Sequence, residues 1–235
     1  MKTFFHIVGL FFCVFLTASF APKTRPEYKV KTIVIDAGHG GKDPGCHGKT
    51  AKEKDVALAI ALRLGKFIED NLKDVKVVYT RKTDVFIELN ERANIANNNN
   101  ADIFICIHCN SACYRDKKTK KDVCKPEIHG AETYVMGLHK TAGNLAVAAR
   151  ENESALLEAD YEKKYESLLN NDEAMMVLSV YQNVYRENSI NFADKVQQEF
   201  HERCGRKNKG VNDAGFLVLW KTAMPSVLIE TGFLT

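Results

Sequence analysis

The chain has 235 residues, of which 45% are hydrophobic and 27% are charged. This length and this balance fit one globular domain with room for an insertion. The formal net charge is only +3, so nothing in the composition favours a nucleic-acid-binding protein.

The N-terminal segment predicts a secretory signal peptide over residues 1–21. A lysine precedes an apolar run from Phe4 to about Ala18, and the run ends in the small-x-small pattern Ser19-Phe20-Ala21. The run is shorter than the about 20 residues of a membrane span, although a retained anchor stays open as the alternative. We expect export across the inner membrane. The periplasm is the favoured destination, because no wall-binding repeats follow the domain.

Strands and helices alternate along the rest of the chain. The predicted strands are Thr32–Ile35, Val75–Thr80, Ile103–His108, Glu132–Met136, Phe216–Leu219 and Val227–Ile229. The predicted helices are Asp55–Leu72, Leu89–Asn97 and Asn191–Cys204, with Asp55 as the cap of the first. This alternation predicts a single α/β domain over residues 30–235, with a mostly parallel mixed sheet flanked by helices.

Residues from about 141 to 190 are the candidate for a helical insertion. The segment is rich in Glu, Ala, Leu and Tyr and has a polar break near Asn170–Asp172. The chain then ends with "ETGFLT", a few residues after the last predicted strand. We therefore expect a closing helix of the domain to lie beyond this sequence.

The cysteines favour a disulfide across one loop over a three-cysteine metal site. Cys106, Cys109 and Cys113 superficially resemble a metal cluster, but Cys106 lies inside the apolar run "ADIFICIHCN". In a strand, Cys106 shares a face with His108 while Cys109 points away. Cys113 and Cys124 flank the lysine-rich segment "YRDKKTKKDV", and an exported protein could join them in a disulfide.

Four metal-competent or acid–base residues are predicted to meet at one edge of the sheet. His39 follows the first strand in the glycine-rich stretch "IVIDAGHGGKDPG", His108 ends the third, and Glu230 follows the last. Glu53 lies just before the first helix. Functional sites gather at the carboxyl ends of parallel strands, and catalytic zinc takes three such ligands. Taken singly, each residue has a structural alternative: a turn residue, a buried histidine or a solvated charge. The glycine stretch itself lacks the pattern of a phosphate-binding loop.

Seven motifs occur in the order "IVIDAGHGGKDPG", "KEKDVALAIALRL", "VVYTRKTD", "LNERANIAN", "ADIFICIHCNSA", "GAETYVM" and "MPSVLIETGFLT". In these motifs the chain resembles the zinc-dependent N-acetylmuramoyl-L-alanine amidases, the amidase type 3 family of cell-wall hydrolases. The resemblance covers Thr32 to Thr235 and is weaker over Thr141–Ile190. It implies a phosphorylase/hydrolase-like α/β fold. It also implies cleavage of the amide between N-acetylmuramic acid and L-alanine of peptidoglycan, in wall turnover and daughter-cell separation.

The resemblance also implies roles for the four candidate residues. His39, Glu53 and His108 would bind one Zn2+ per chain, and Glu230 would be the catalytic glutamate. The chemistry suits amide hydrolysis, because zinc can activate water and a nearby carboxylate can move its proton to the leaving amine. Two alternatives stay open: a zinc peptidase with another amide substrate, and a non-catalytic wall-binding relative.

The predicted insertion has a counterpart in division-associated members of this family, where a helical insertion covers the active site until an activator protein binds. The stretch Asn144–Tyr165 resembles such a helix. The resemblance implies that Glu151, Glu153 or Glu158 occupies the open zinc position. The alternative is a helix that only packs on the sheet. We expect a monomer with peptidoglycan as its partner.

Three further residues attract attention within the family motifs. Trp220 stands where many relatives carry a polar or basic residue, and it either lines the substrate groove or packs at the surface. Arg81 and Arg92 recur in the resemblance, and we expect them to be structural, pairing with Asp84 or with the backbone.

Overall fold

The computed structural model describes residues 28–116, 118–119, 121–138, 141–169 and 172–235. The predicted signal peptide, residues 1–21, lies outside the described residues, as do residues 170–171 of the predicted polar break. The strands are β1 (Thr32–Ala37), β2 (Lys76–Tyr79), β3 (Ile103–Ser111), β4 (Cys113–Arg115), β5 (Asp122–Cys124), β6 (Ala131–Met136), β7 (Asn208–Ala214) and β8 (Ser226–Leu234). The helices are α1 (Glu53–Asn71), α2 (Leu89–Asn98), α3 (Ala142–Asn152), α4 (Tyr161–Leu169), α5 (Asp172–Glu202) and α6 (Leu217–Trp220), with a 3-10 turn at Glu153–Leu157.

Six strands form the main sheet in the order β2-β1-β3-β8-β6-β7. The first four are mutually parallel, while β6 runs antiparallel to β8 and parallel to β7. The predicted fold class, a mostly parallel mixed sheet flanked by helices, is confirmed. Because of the reversal at β6, the starts of β6 and β7 lie at the edge where the other four strands end.

The central strands are buried on both faces, which explains their continuous apolar runs. Alternate residues of β1 and β3 face opposite sides. Val34 and Phe104 pack with α2, α3 and α6, whereas Ile35 and Ile105 pack with α1 and α5. The two hydrophobic layers therefore fix the register of the sheet, and with it the positions of the residues at its carboxyl edge.

One predicted strand is wrong. Phe216–Leu219 belongs instead to α6 and its N-cap, and it packs in the first hydrophobic layer. A short apolar run does not distinguish a buried strand from a buried helical turn. Three strands were not predicted: the short hairpin strands β4 and β5, and β7 of the main sheet. The sequence of β7, "NKGVNDA", is exposed at its start and lacks an apolar pattern.

Two helix boundaries also differ from the predictions. The first helix begins at Glu53, with Lys52 at its N-cap position. Asp55 is therefore not the cap. Glu53, which was predicted to precede the helix, is its first residue. The predicted helix Asn191–Cys204 begins inside the 31-residue helix α5 and runs two residues past its end at Glu202.

The lysine-rich segment forms a small hairpin, β4–β5, that follows β3 directly. Its two strands pair antiparallel, and Cys113 and Cys124 face each other and form a disulfide, a pairing that the sequence allowed but left open. Cys106 is fully buried in the first hydrophobic layer. Among the described residues, no helix combines the length and the apolar character needed to cross a bilayer.

Candidate metal centre

The glycine-rich loop after β1 positions His39. Its backbone has a φ of 60°, a left-handed conformation that costs a non-glycine residue on the order of 1–3 kcal/mol. The preceding residue, Gly38, gives room for the second histidine, since a Cβ there would lie 2.4 Å from Nε2 of His108. The two imidazole rings meet edge to face with centroids 4.8 Å apart. Gly38 thus allows the two histidines to pack against each other.

Glu53 enters the site from the first turn of α1. Its carboxylate accepts hydrogen bonds from the backbone N–H of Cys46 at 2.9 Å and of Cys109 at 3.0 Å. Its Oε1 also lies 2.9 Å from Nδ1 of His108. Glu53, which taken alone in the sequence could be a solvated charge, is fully buried. Two main-chain donors fix its orientation.

Four buried side chains converge to form the candidate metal centre: His39, Glu53, His108 and Glu151. Each offers one ligand atom, and these atoms lie within 4.8 Å of one another. His39 Nε2 is 3.1 Å from Glu53 Oε1 and 3.0 Å from Glu151 Oε2. His108 Nδ1 is 2.9 Å from the same Glu151 oxygen. The structure thus brings all three sequence-predicted ligands together and adds one residue from the helical segment.

Asp43 orients His39 and was not foreseen from the sequence. Its Oδ2 lies 2.8 Å from Nδ1 of His39, which leaves Nε2 facing the ligand group. Such carboxylate–histidine pairs fix the ring and tautomer of metal-bound histidines. The signal in the sequence was an aspartate four residues after His39 in the same loop.

The donor atoms fit a divalent cation. Nε2 of His39 and Oε2 of Glu151 are buried, and neither forms a hydrogen bond of good geometry with a described residue, although they lie 3.0 Å apart. A buried polar atom without a partner costs about 1–3 kcal/mol. Imidazole nitrogens and carboxylate oxygens are donors that zinc takes in proteins, and a cation among them would satisfy these atoms.

The carboxylates around His39 also favour a positive charge among the four ligand side chains. Burial opposes a charged imidazole, but three nearby carboxylates outweigh it and raise the pKa of His39 well above its usual value. Burial likewise opposes ionisation of Glu53, but the nearby imidazoles of His108 and His39 outweigh it and hold the pKa of Glu53 well below its usual range. The ligand group therefore holds Glu53 in its charged form.

Glu230 lies beside the ligand group on the neighbouring strand, where it is the registered partner of His108. It is fully buried, and neither of its carboxylate oxygens forms a hydrogen bond within the described part of the chain. Burial, together with the carboxylates of Glu151 and Glu53, raises the pKa of Glu230 well above its usual range. A buried carboxyl group with a raised pKa is suited to general acid–base catalysis.

The helical segment delivers two adjacent residues to this site. Glu151 lies near the end of α3, and Arg150 next to it places Nη2 2.8 Å from Glu151 Oε1 and 3.5 Å from Glu230 Oε1. The other two sequence candidates lie elsewhere. Glu153 is exposed, and Glu158 accepts a hydrogen bond from the backbone N–H of Leu89 at the start of α2.

The remaining candidates occupy the surroundings of the site. Arg81 and Arg92 both donate to backbone carbonyls, as predicted, but Asp84 pairs with Lys54 instead of Arg81. Trp220 is partly buried, with its ring centroid 6.4 Å from that of Tyr165.

Comparisons with known proteins place these features in context. A family model described as N-acetylmuramoyl-L-alanine amidase matches residues 33–235. The amidase AmiA of Escherichia coli K12 is 27% identical over 217 residues, which are 91% of this chain and 69% of AmiA. The crystal structure of an N-acetylmuramoyl-L-alanine amidase from Clostridium difficile 630 superposes with a TM-score of 0.58 at 27% identity, over 88% of this chain and 82% of that one. The CwlD amidase of Clostridioides difficile, solved in complex with the GerS lipoprotein, gives a TM-score of 0.54 at 26% identity, over 87% and 83%.

Proposed function

Since this chain belongs to the N-acetylmuramoyl-L-alanine amidase family, we propose that it is a zinc enzyme in which His39, Glu53 and His108 hold one metal ion and Glu230 is the catalytic residue. The observation that carries the proposal is the convergence of buried ligand atoms within 4.8 Å, two of them without hydrogen bonds among the described residues. The substrate is peptidoglycan, and the bond cleaved joins the lactyl group of N-acetylmuramic acid to L-alanine.

The residues divide the work of amide hydrolysis. Bound zinc would lower the pKa of a water molecule to about 7 and polarise the substrate carbonyl. Glu230 takes the proton of the attacking water and passes it to the amine of L-alanine as the C–N bond breaks, while the hydroxyl group remains on the carbonyl carbon. The raised pKa of Glu230 suits a group that must both accept and release a proton. Asp43 holds the imidazole of His39 in position for this work.

We further propose that the helical segment holds the enzyme in an inhibited state. Catalytic zinc keeps one position for water or substrate beside its three protein ligands, and Glu151 would occupy that position. Arg150 would at the same time pair with Glu230 and so block the proton acceptor. One short helix thus acts on the metal and on the catalytic carboxylate together.

Contacts outside the site support a closed resting arrangement. Glu158 is buried, caps the start of α2 and also contacts the Tyr165 hydroxyl. Lys164 pairs with Glu88. Opening therefore requires several contacts to break, and a partner protein would supply the free energy. The CwlD relative is solved in complex with a lipoprotein, which supports the proposal that a protein partner opens this chain. Export to the periplasm and a role in wall turnover and daughter-cell separation belong to the same proposal.

Metal analysis and product identification on purified sacculi test the proposal. The assay is run on the protein and on its Glu151→Gln variant, because the resting enzyme is expected to be slow. We expect about one zinc per chain from the single three-residue ligand set, new L-alanine amino termini, and loss of cleavage on chelation with recovery on zinc addition. The Glu230→Ala variant should retain its zinc and its fold but lose turnover. If chelation and Glu230→Ala both leave cleavage unchanged, the zinc mechanism is wrong. A different new amino terminus would indicate a peptidase instead.

A further inference from the structure

Two buried arginines lie directly behind the loop that carries His39. Arg92 is 2% exposed. It donates from Nη1 to the carbonyl of Ala37 at 2.8 Å and from Nη2 to the carbonyl of His39 at 2.9 Å. Its Nη1 also pairs with Oδ1 of Asp36 at 2.9 Å. The backbone of the first metal-ligand candidate is therefore held at its own carbonyl group by a charged donor.

Arg81 makes a second set of contacts on the same loop. It is 3% exposed, and its Nη2 donates to the carbonyl of Gly38 at 2.7 Å and to that of Lys54 at 2.8 Å. Lys54 follows Glu53 in the chain. One guanidinium group thus joins the loop of His39 to the helical turn of Glu53.

The carbonyl groups of residues 37–39 all accept from these two arginines. The two arginines therefore hold the backbone of the loop through its carbonyl groups, while Nε2 of the His39 imidazole lies 3.1 Å from Glu53 Oε1 in the ligand group. The left-handed φ of His39 is a conformation that a free loop would leave. The loop packs closely on Arg81, since a Cβ on Gly40 would lie only 2.9 Å from Nε of that arginine.

We propose that Arg81 and Arg92 are positioning residues for the metal centre. Arg92 fixes the backbone conformation that aims His39, and Arg81 fixes the separation between His39 and Glu53. This inference rests on the proposed zinc site. It differs from a merely structural role, which would stabilise the fold without changing the affinity of the ligand group for metal.

Lysine variants isolate the geometry, because lysine keeps the charge but lacks the planar fork that reaches several carbonyls at once. Arg81→Lys and Arg92→Lys are compared with the unchanged protein by zinc competition against a chelator and by the absorption spectrum after cobalt substitution. We expect the zinc Kd to rise about 10- to 100-fold, the range seen when groups that orient metal ligands are lost. The cobalt spectrum should change as well.

Two controls separate positioning from stability. Arg186→Lys alters a partly exposed arginine that pairs with Asp213, and Phe104→Leu weakens the buried core of β3. Both should keep the zinc Kd and the cobalt spectrum of the unchanged protein. The inference is overturned if both lysine variants bind zinc as tightly as the unchanged protein. It is also overturned if Phe104→Leu raises the zinc Kd as much as the lysine variants do when its loss of Tm equals theirs. Where Arg92→Lys does not fold, Arg81→Lys decides alone. An unchanged protein that binds no zinc would refute the proposed function instead.

Discussion

Replacing Glu151 with glutamine is expected to activate the enzyme. The Glu151 carboxylate lies 2.9 Å from Nδ1 of His108 and 3.0 Å from Nε2 of His39. Glutamine keeps the shape of the side chain but removes the charge. A hydrogen bond to a charged group contributes about 1.5–3 kcal/mol, and each 1.4 kcal/mol is about a tenfold change in an equilibrium. Weakening one such contact should lower the ratio of closed to open enzyme by about 10- to 150-fold.

The initial rate of release from dye-labelled sacculi measures this effect, with zinc content determined on the same samples. The rate should rise by up to that factor and level off once the open form predominates. The matched control is Glu153→Gln, which removes the same charge two residues later from an exposed position. The reasoning is refuted if Glu151→Gln retains zinc and is no faster than the unchanged protein, or if Glu153→Gln activates equally. A point substitution is preferable to deleting residues 141–188, since Ala148 and Tyr165 lie in the hydrophobic core.

Three further outcomes are expected. Asp43→Asn should lower zinc affinity about 10- to 100-fold in a chelator competition, because the ligand histidine loses its charged partner. Burial raises the pKa of Asp36, but Arg92 and other neighbours outweigh it, so the pKa is lowered overall. The resulting stability is present above the unfolded value of about 3.9 and is lost as the pH falls through the folded value. Asp36→Asn should remove this acid dependence in urea unfolding and cost about 3–5 kcal/mol at neutral pH, since it leaves a buried arginine unpaired. Reduction of the Cys113–Cys124 disulfide should speed tryptic cleavage of the hairpin, followed by mass spectrometry, because a two-stranded hairpin is marginal alone.

The sequence was sufficient for the parts of the fold that depend on local pattern. The strand before His39 is a continuous apolar run because both its faces are buried, and the amphipathic helix that follows has a regular apolar spacing. Both elements could therefore be placed along the chain, although the helix begins two residues earlier than predicted. β7 could not be predicted, because an edge strand with few apolar residues carries little pattern. α6 was predicted as a strand because four apolar residues carry no period.

The gaps in the candidate site have a different origin. Asp43 acts through its distance from one imidazole nitrogen, and many loop aspartates have no such contact. Arg150 pairs with its neighbour Glu151 and also reaches Glu230 on β8, because the end of α3 lies close to both the ligand group and that strand. These relations depend on the packing of elements far apart in the chain, which the order of the motifs does not encode.

The proposed inhibition links metal affinity to activation. If Glu151 is a ligand only in the closed arrangement, the closed enzyme has one more protein donor for zinc than the open enzyme, and zinc itself favours closure. Coupling between two binding equilibria is reciprocal. An activator that binds only the open arrangement therefore weakens zinc binding by the same factor by which zinc weakens the binding of the activator. The three remaining ligands must retain the metal without Glu151, and the two main-chain donors to Glu53 and the carboxylate behind His39 provide the preorganisation that this requires.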